Sequence, residues 1–324
     1  MSAIRVKSGL TKFHPIIIIM MTMLLGDSSI GFAQEIIVAV FPESNNYFDR
    51  MGNGMRIEAD RRHADLQFRN YRQTSEIGSV VEDLIAQNVN NIVLVSSALL
   101  EIEPTIRIAA ENGARVVAVQ DVVTPVPGLS AVVGPNIRQG GAAQAKWIAA
   151  SFAHGTKILS IDGPAESGWA NLRTDGFKEA LNTQGSNYPI VSQLMAATFS
   201  EIGGDNMTVV SQLADSADVF VAPTDQIALG VLPTIKERNE KAMLMGFGAT
   251  PEGLRAVKEG RMAATVELFP GDQGRKAINV ILDLAEGIGP SACQVWLMEA
   301  VVVTTAALND AVLDSSDGAD SVCW

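Results

Sequence analysis

The stretch Asn91–Val119, NIVLVSSALLEIEPTIRIAAENGARVVAV, decides the fold class. It opens with the apolar run Asn91-Ile-Val-Leu-Val95 and closes with a second, Arg115-Val-Val-Ala-Val119. Between them Glu103–Asn112 carries a helical pattern that stops at Gly113, a residue free to take the left-handed conformation at which helices end. Two strand-length runs joined by a helix-length crossover make a βαβ unit, and such a crossover leaves its strands parallel.

Working outward, the same alternation recurs. Upstream, Glu35–Val40 reads as a strand, Phe48, Met51, Met55 and Ala59 fall on one helical stripe, Asp65–Asn70 is a strand and Ser75–Asn88 a helix with Ile77, Val81, Leu84 and Ile85 inward. The pattern pauses over Asp121–Gly134, where prolines and glycines surround a short Ala-Val-Val run, and restarts with a helix over Ile137–Ser151. A second series follows, with strands at Lys157–Ile161, Ile190–Met195, Val219–Ala222, Met243–Gly246 and Ala263–Glu267. Its helices are predicted over Trp169–Gln184, Gly204–Asp215, Gln226–Lys236 and Pro251–Glu259. A last long helix, Gln273–Glu286, stops at Gly287 and leads to an apolar run, Val295–Val303. Two successive doubly wound series predict an α/β protein with two parallel-sheet lobes, and a crevice between lobes at the carboxyl ends of their strands is the expected ligand site.

The 324 residues carry 24 basic and 36 acidic side chains, a net charge of -12, and no Lys/Arg-dense stretch. Nucleic-acid binding needs a basic face to neutralise phosphates, so the composition argues against it. Residues 1–33 place Arg5, Lys7 and Lys12 ahead of the apolar run Ile16–Leu25, followed by Gly31-Phe32-Ala33. That is the pattern of a secretory signal peptide cut near Ala33, and ten apolar residues fall short of the ~20 that span a bilayer. The expected location is the periplasm.

Motifs that carry known chemistry are mostly absent from the sequence. Gly246-Phe-Gly248 follows a strand, but Pro251 stands where a dinucleotide fingerprint needs its third glycine. No Walker A, HExxH or G-x-S-x-G motif occurs, so neither a catalytic constellation nor a cofactor or metal site is expected. His63 and His154 sit in polar sequence near helix ends and read as surface histidines. Asp225 precedes a helical run and reads as an N-cap. Cys293 and Cys323 form a candidate disulfide in an oxidising compartment, with two independent thiols as the alternative.

Several stretches, in order and spacing, resemble the ribose-binding-protein group of periplasmic sugar-binding proteins, which have the type I periplasmic binding protein fold. They are Asn45-Asn-Tyr-Phe48, Gly163-Pro-Ala-Glu-Ser-Gly168 with Arg173-Thr-Asp-Gly-Phe177, Pro223–Gly230, Met245–Gly253 and Gly260–Thr265. The resemblance implies a multi-strand hinge joining an N-terminal lobe, 34–135 plus 269–298, to a C-terminal lobe with tail, 136–268 plus 299–324. It also implies capture of a small sugar or polyol by a monomer, which hands it to an ABC permease in the inner membrane. A sensing subunit for a membrane sensor kinase or chemoreceptor is the alternative.

Matched residue by residue, Asn46 takes the place of a hydrogen-bonding Asn and Phe48 that of a stacking Phe, with Tyr47 beside it. Arg173 matches a ligand-binding Arg, and Phe199 lies where an aromatic wall is expected. Other positions depart from the family. Ser96 stands for an Asn, Gln120-Asp121 for an Asp-Arg pair, Thr224 for an Asn, Gly248 for an Asp, and Leu268, next to Glu267, for a Gln. Trp169 is a lid over the ligand or interlobe packing, and Phe48, which starts the stripe of Met51, is by pattern alone either core or ligand wall. With these forks replaced, ribose fits less well than a smaller polyol, a modified sugar or a less hydroxylated molecule.

Overall fold

The computed structural model describes residues 35–43, 46–96, 99–119, 126–183, 188–289 and 293–310. In the first series β1 (Ile36–Pro42), α1 (Asn46–Arg61), β2 (Asp65–Tyr71), α2 (Ile77–Ala86), β3 (Asn91–Val95), α3 (Glu103–Glu111) and β4 (Arg115–Val119) alternate as the periodicity predicts. The Ala-Val-Val run inside the pause is a fifth strand, β5 (Ala131–Pro135). All five of its residues are buried, so a continuous apolar run of strand length was the informative feature and the flanking turn residues only bounded it.

After α4 (Ile137–Ser151) the second series runs β6 (Ile158–Asp162), α5 (Gly168–Thr183), β7 (Ile190–Met195), α6 (Gly204–Leu213), β8 (Val219–Val221), α7 (Asp225–Arg238), β9 (Met243–Met245), α8 (Pro251–Lys258) and β10 (Ala264–Glu267). Then come α9 (Pro270–Ala285), β11 (Gln294–Met298), β12 (Val301–Thr304) and α10 (Thr305–Asp310). The apolar run near the end is therefore two strands, which enter different sheets.

One six-stranded sheet has the order β11-β5-β4-β3-β1-β2 and is parallel throughout. The other, β12-β10-β9-β8-β6-β7, is parallel except that β12 runs antiparallel to β10. Within each, the first five strands of the series follow one order, second-first-third-fourth-fifth. In doubly wound sheets of this order the chain turns to opposite sides at the first and third strands, leaving a crevice beyond their carboxyl ends. Helices cover both faces, and separate apolar clusters fill each side of each sheet.

The two halves also repeat in their helices. Each sheet's first helix, α1 or α5, lies against a helix that follows a strand of the other sheet: α9 comes after β10, and α4 after β5. A Cβ on Gly274, the fifth residue of α9, would fall on the carbonyl of Met51, the sixth of α1. A Cβ on Gly141, the fifth of α4, would fall on the carbonyl of Arg173, the sixth of α5. Only glycine permits such close helix contact, so the same contact is built twice. Among the described residues no helix is long and apolar enough to cross a membrane.

Candidate ligand-binding cleft

A cleft of about 860 Å³ opens where the carboxyl ends of both sheets face each other. From the first sheet it takes the start of α1, with Asn46, Tyr47, Phe48 and Arg50. From the second it takes residues that follow β6 (Ser167, Gly168, Trp169), β7 (Phe199, Ser200), β8 (Thr224, Gln226), β9 (Phe247, Gly248, Thr250) and β10 (Leu268). Tyr47 and Trp169 are each the second residue of their sheet's first helix, so the internal repeat brings one aromatic from each half to the site.

The walls are aromatic. Trp169 meets Phe199 and Phe247 edge-on at centroid distances of 5.2 and 5.4 Å, and Tyr47 meets Phe48 edge-on at 5.6 Å. Edge-to-face contacts suit the ring quadrupoles and hold each ring's orientation. Phe48 also touches Phe41 edge-on, so it is at once cleft wall and neighbour of the core, and both readings of its stripe hold. Phe199 is 40% exposed, a large apolar face turned to solvent in the open cleft.

Polar side chains anchor this wall. Thr224 Oγ1 accepts the Ile227 N–H at 3.1 Å, so Thr224 is the N-cap of α7, and it donates to the Phe199 carbonyl at 2.8 Å. Asp225, expected as that cap, is instead the first helical residue and fully buried. Its carboxylate accepts from Thr265 Oγ1 (2.6 Å), Thr250 N–H (2.7 Å) and Thr250 Oγ1 (3.0 Å), and its N–H donates to the Phe247 carbonyl at 2.9 Å. Burial raises the Asp225 pKa against the lowering effect of these bonds. The network pins the turn 246–250, where Gly248 and Ala249 both have positive φ, 115° and 46°. At Gly248 that backbone favours glycine, so an Asp of the family's kind would be strained there.

Other expected site residues lie off the cleft. Arg173 is fully buried, being the counterpart in α5 of the core residue Met51 in α1. Its terminal guanidinium nitrogens donate to Gln144 Oε1 (2.9 Å), Asp162 Oδ1 (3.1 Å) and the Ile161 carbonyl (3.2 Å), and its Nε–H is buried without a partner. Burial pushes its pKa down to about 10 despite the neighbouring Asp162. Glu267 is fully buried too and pairs with Arg50 at 2.7 Å, while its other oxygen accepts the Phe269 N–H at 2.6 Å. Ser96 is buried at the end of β3, beside Tyr71, and does not line the cleft. Gln120, Asp121 and Cys323 lie outside the described residues. Cys293 is exposed just before β11.

Arg50, Phe247, Thr250 and Gln226 line the cleft without having been singled out. Phe247 lies within a stretch that carries the resemblance, whereas Arg50 offers no signal, because its partner is more than two hundred residues away. Among the described residues no group of three or more His, Cys, Asp or Glu could hold a metal ion.

The family model for the periplasmic binding protein domain matches residues 36–289. The chain belongs to that family. Among relatives, the ribose import binding protein RbsB of Haemophilus influenzae is 29% identical over 251 residues, 76% of this chain and 84% of the relative. That of Escherichia coli K12 is 25% identical over 266 residues, 80% and 88% of the two chains. The fold matches a solved periplasmic ribose ABC transporter protein of Conexibacter woesei with a TM-score of 0.76 at 22% identity, over 85% of this chain and 93% of that one. It also matches a Caulobacter myo-inositol binding protein, bound to myo-inositol, with a TM-score of 0.69 at 22% identity, over 85% and 95%. The family's two-sheet architecture is therefore the one observed here, with its cleft at the paired strand ends.

Proposed function

We propose that this protein captures a small sugar or polyol in the periplasm, between a lobe of residues 34–135 plus 269–298 and a lobe of residues 136–268 plus 299–324, and delivers it to an ABC importer. One observation carries the reading: aromatic side chains from both sheets, Tyr47 and Phe48 opposite Trp169, Phe199 and Phe247, line a single cleft. Such faces cover the C–H surfaces of a sugar ring. Membership in a periplasmic binding protein family and the relatives' role in ribose import support it. The export pattern of residues 1–33, with cleavage near Ala33, supports the location.

Closure about the strand crossings follows from mass action. A ligand that touches both walls only when they approach stabilises the closed arrangement by that difference in contacts. The chain passes between sheets after β5, after β10 and between β11 and β12, and Asn136 N–H donates to the Met298 carbonyl at 2.7 Å where two of these crossings run together. A thermal-shift panel of pentoses, hexoses, tetritols and pentitols tests the proposal. At 100 times Kd a ligand should stabilise the protein by ~2.7 kcal/mol, enough for a clear rise in Tm. A panel with no rise at millimolar ligand rejects it.

A further inference from the structure

We propose that the cleft selects a neutral sugar ring with few free hydroxyls, a deoxy or O-methylated sugar, over the fully hydroxylated parent. This rests on the sugar-binding reading above and concerns which sugar fits.

The hydrogen-bonding groups in the cleft are mostly consumed by the protein. Tyr47 Oη is held by Gln273 Nε2 at 2.9 Å, and Gln273 is itself fully buried. Arg50 pairs with Glu267 and reaches the Ala249 carbonyl at 3.4 Å. Both Thr224 and Thr250 use their hydroxyls twice, as donor to a protein oxygen and as acceptor from a helical N–H. Among the described lining residues, the polar side-chain groups left without a protein hydrogen bond are those of Asn46, Gln226 and Glu252, all three exposed, and the indole N–H of the half-buried Trp169, a single donor. The deeper surface is Phe247 and Leu268, at 2% and 4% exposure, in the apolar cluster against which Tyr47 and Trp169 pack.

A sugar hydroxyl that enters against Phe247 or Leu268 gives up water and finds no partner, which weakens binding roughly tenfold or more per group. A methyl or methylene in the same place gains burial, worth roughly fourfold. The sign of the preference follows from these two together. Charge points the same way: the Arg50 guanidinium is neutralised by Glu267, so an ionic ligand would be desolvated deep in the cleft without a counter-ion.

Titration calorimetry on the full chain with matched pairs decides it: D-galactose against 6-deoxy-D-galactose, D-ribose against its methyl glycoside, and myo-inositol against a mono-O-methyl inositol. The deoxy or methylated member should bind roughly tenfold or more tighter in the pair that fits. Parents that bind as tightly as their partners, or more tightly, overturn the selectivity and leave sugar binding standing. No heat from any member overturns the sugar reading and the selectivity with it. Leu268→Gln returns a hydrogen-bonding group to the floor and should move the preference roughly tenfold toward the parent. An unchanged ratio in a folded Leu268→Gln protein would remove the floor as the source of selection, and the wild-type pairs stand as the test if that variant fails to fold.

Discussion

Arg50 Nη2 lies 2.7 Å from Glu267 Oε2, joining the first helix of one sheet to the last parallel strand of the other across more than two hundred residues of sequence. The carboxylate is fully buried and the arginine side chain is 13% exposed. This pair sits under the cleft and beside the second crossing of the chain, where Glu267 also accepts the N–H of Phe269, a residue held at φ 55°.

Arg50→Met should lower stability by about 3 kcal/mol, because it leaves a buried carboxylate without its cation. Urea unfolding of wild type and variant measures the difference, and a loss below ~0.5 kcal/mol would place the pair among weak surface bridges.

The same pair sets a pH dependence. Burial raises the Glu267 pKa above the ordinary value of 4.5, and Arg50 opposes the rise. A carboxylate with a raised folded pKa contributes stability that is complete below its unfolded value and is lost as pH climbs through the folded one. Without Arg50 the folded value climbs further and more is lost at neutrality. The deficit of Arg50→Met should therefore be larger at pH 7 than at pH 4.5. Equal deficits at the two pH values would show that Glu267 does not take up its proton in the folded variant.

Arg173→Ala should act on folding. Asp162, 3% exposed, and Gln144, fully buried, both lose a donor, at a cost of about 3 to 5 kcal/mol. The folded fraction should keep its ligand affinity by calorimetry. Weakened binding with an unchanged unfolding midpoint would return Arg173 to the cleft.

Asp225→Ala removes the acceptor of three hydrogen bonds and should cost about 3 kcal/mol, at roughly 1 kcal/mol each. Since those bonds fix the turn carrying Phe247 and Gly248, ligand affinity should fall along with stability. Differential calorimetry with and without sugar separates the two effects, and intact affinity would mean that the turn holds its shape alone.

Trp169→Ala removes a ring from the wall and should weaken the best-binding sugar by ~1.5 kcal/mol. In the wild type, ligand should change tryptophan emission, and Trp169→Phe should abolish most of that change. A full signal in the variant would assign it to Trp147, Trp296 or Trp324 instead.

What the sequence determined alone is what local patterning encodes. Strand-length apolar runs separated by helical stripes specify parallel βαβ units, and their two successive series specify two sheets. The resemblance put Phe48 and Phe199 in an expected ligand site, and the fold sets both around one cleft together with Tyr47 and Trp169. Three-dimensional packing decided what depends on distant partners. Val295–Val303 divides between two sheets because β5 and β10 each offer an edge to pair with. Arg173 reads as a ligand-binding arginine, yet it is buried against Asp162 and Gln144, partners that no local pattern could name, and Glu267 is likewise buried against Arg50. A buried charge must be paired, and which residue pairs it is a property of the closed fold, where residues far apart in sequence come within 3 Å.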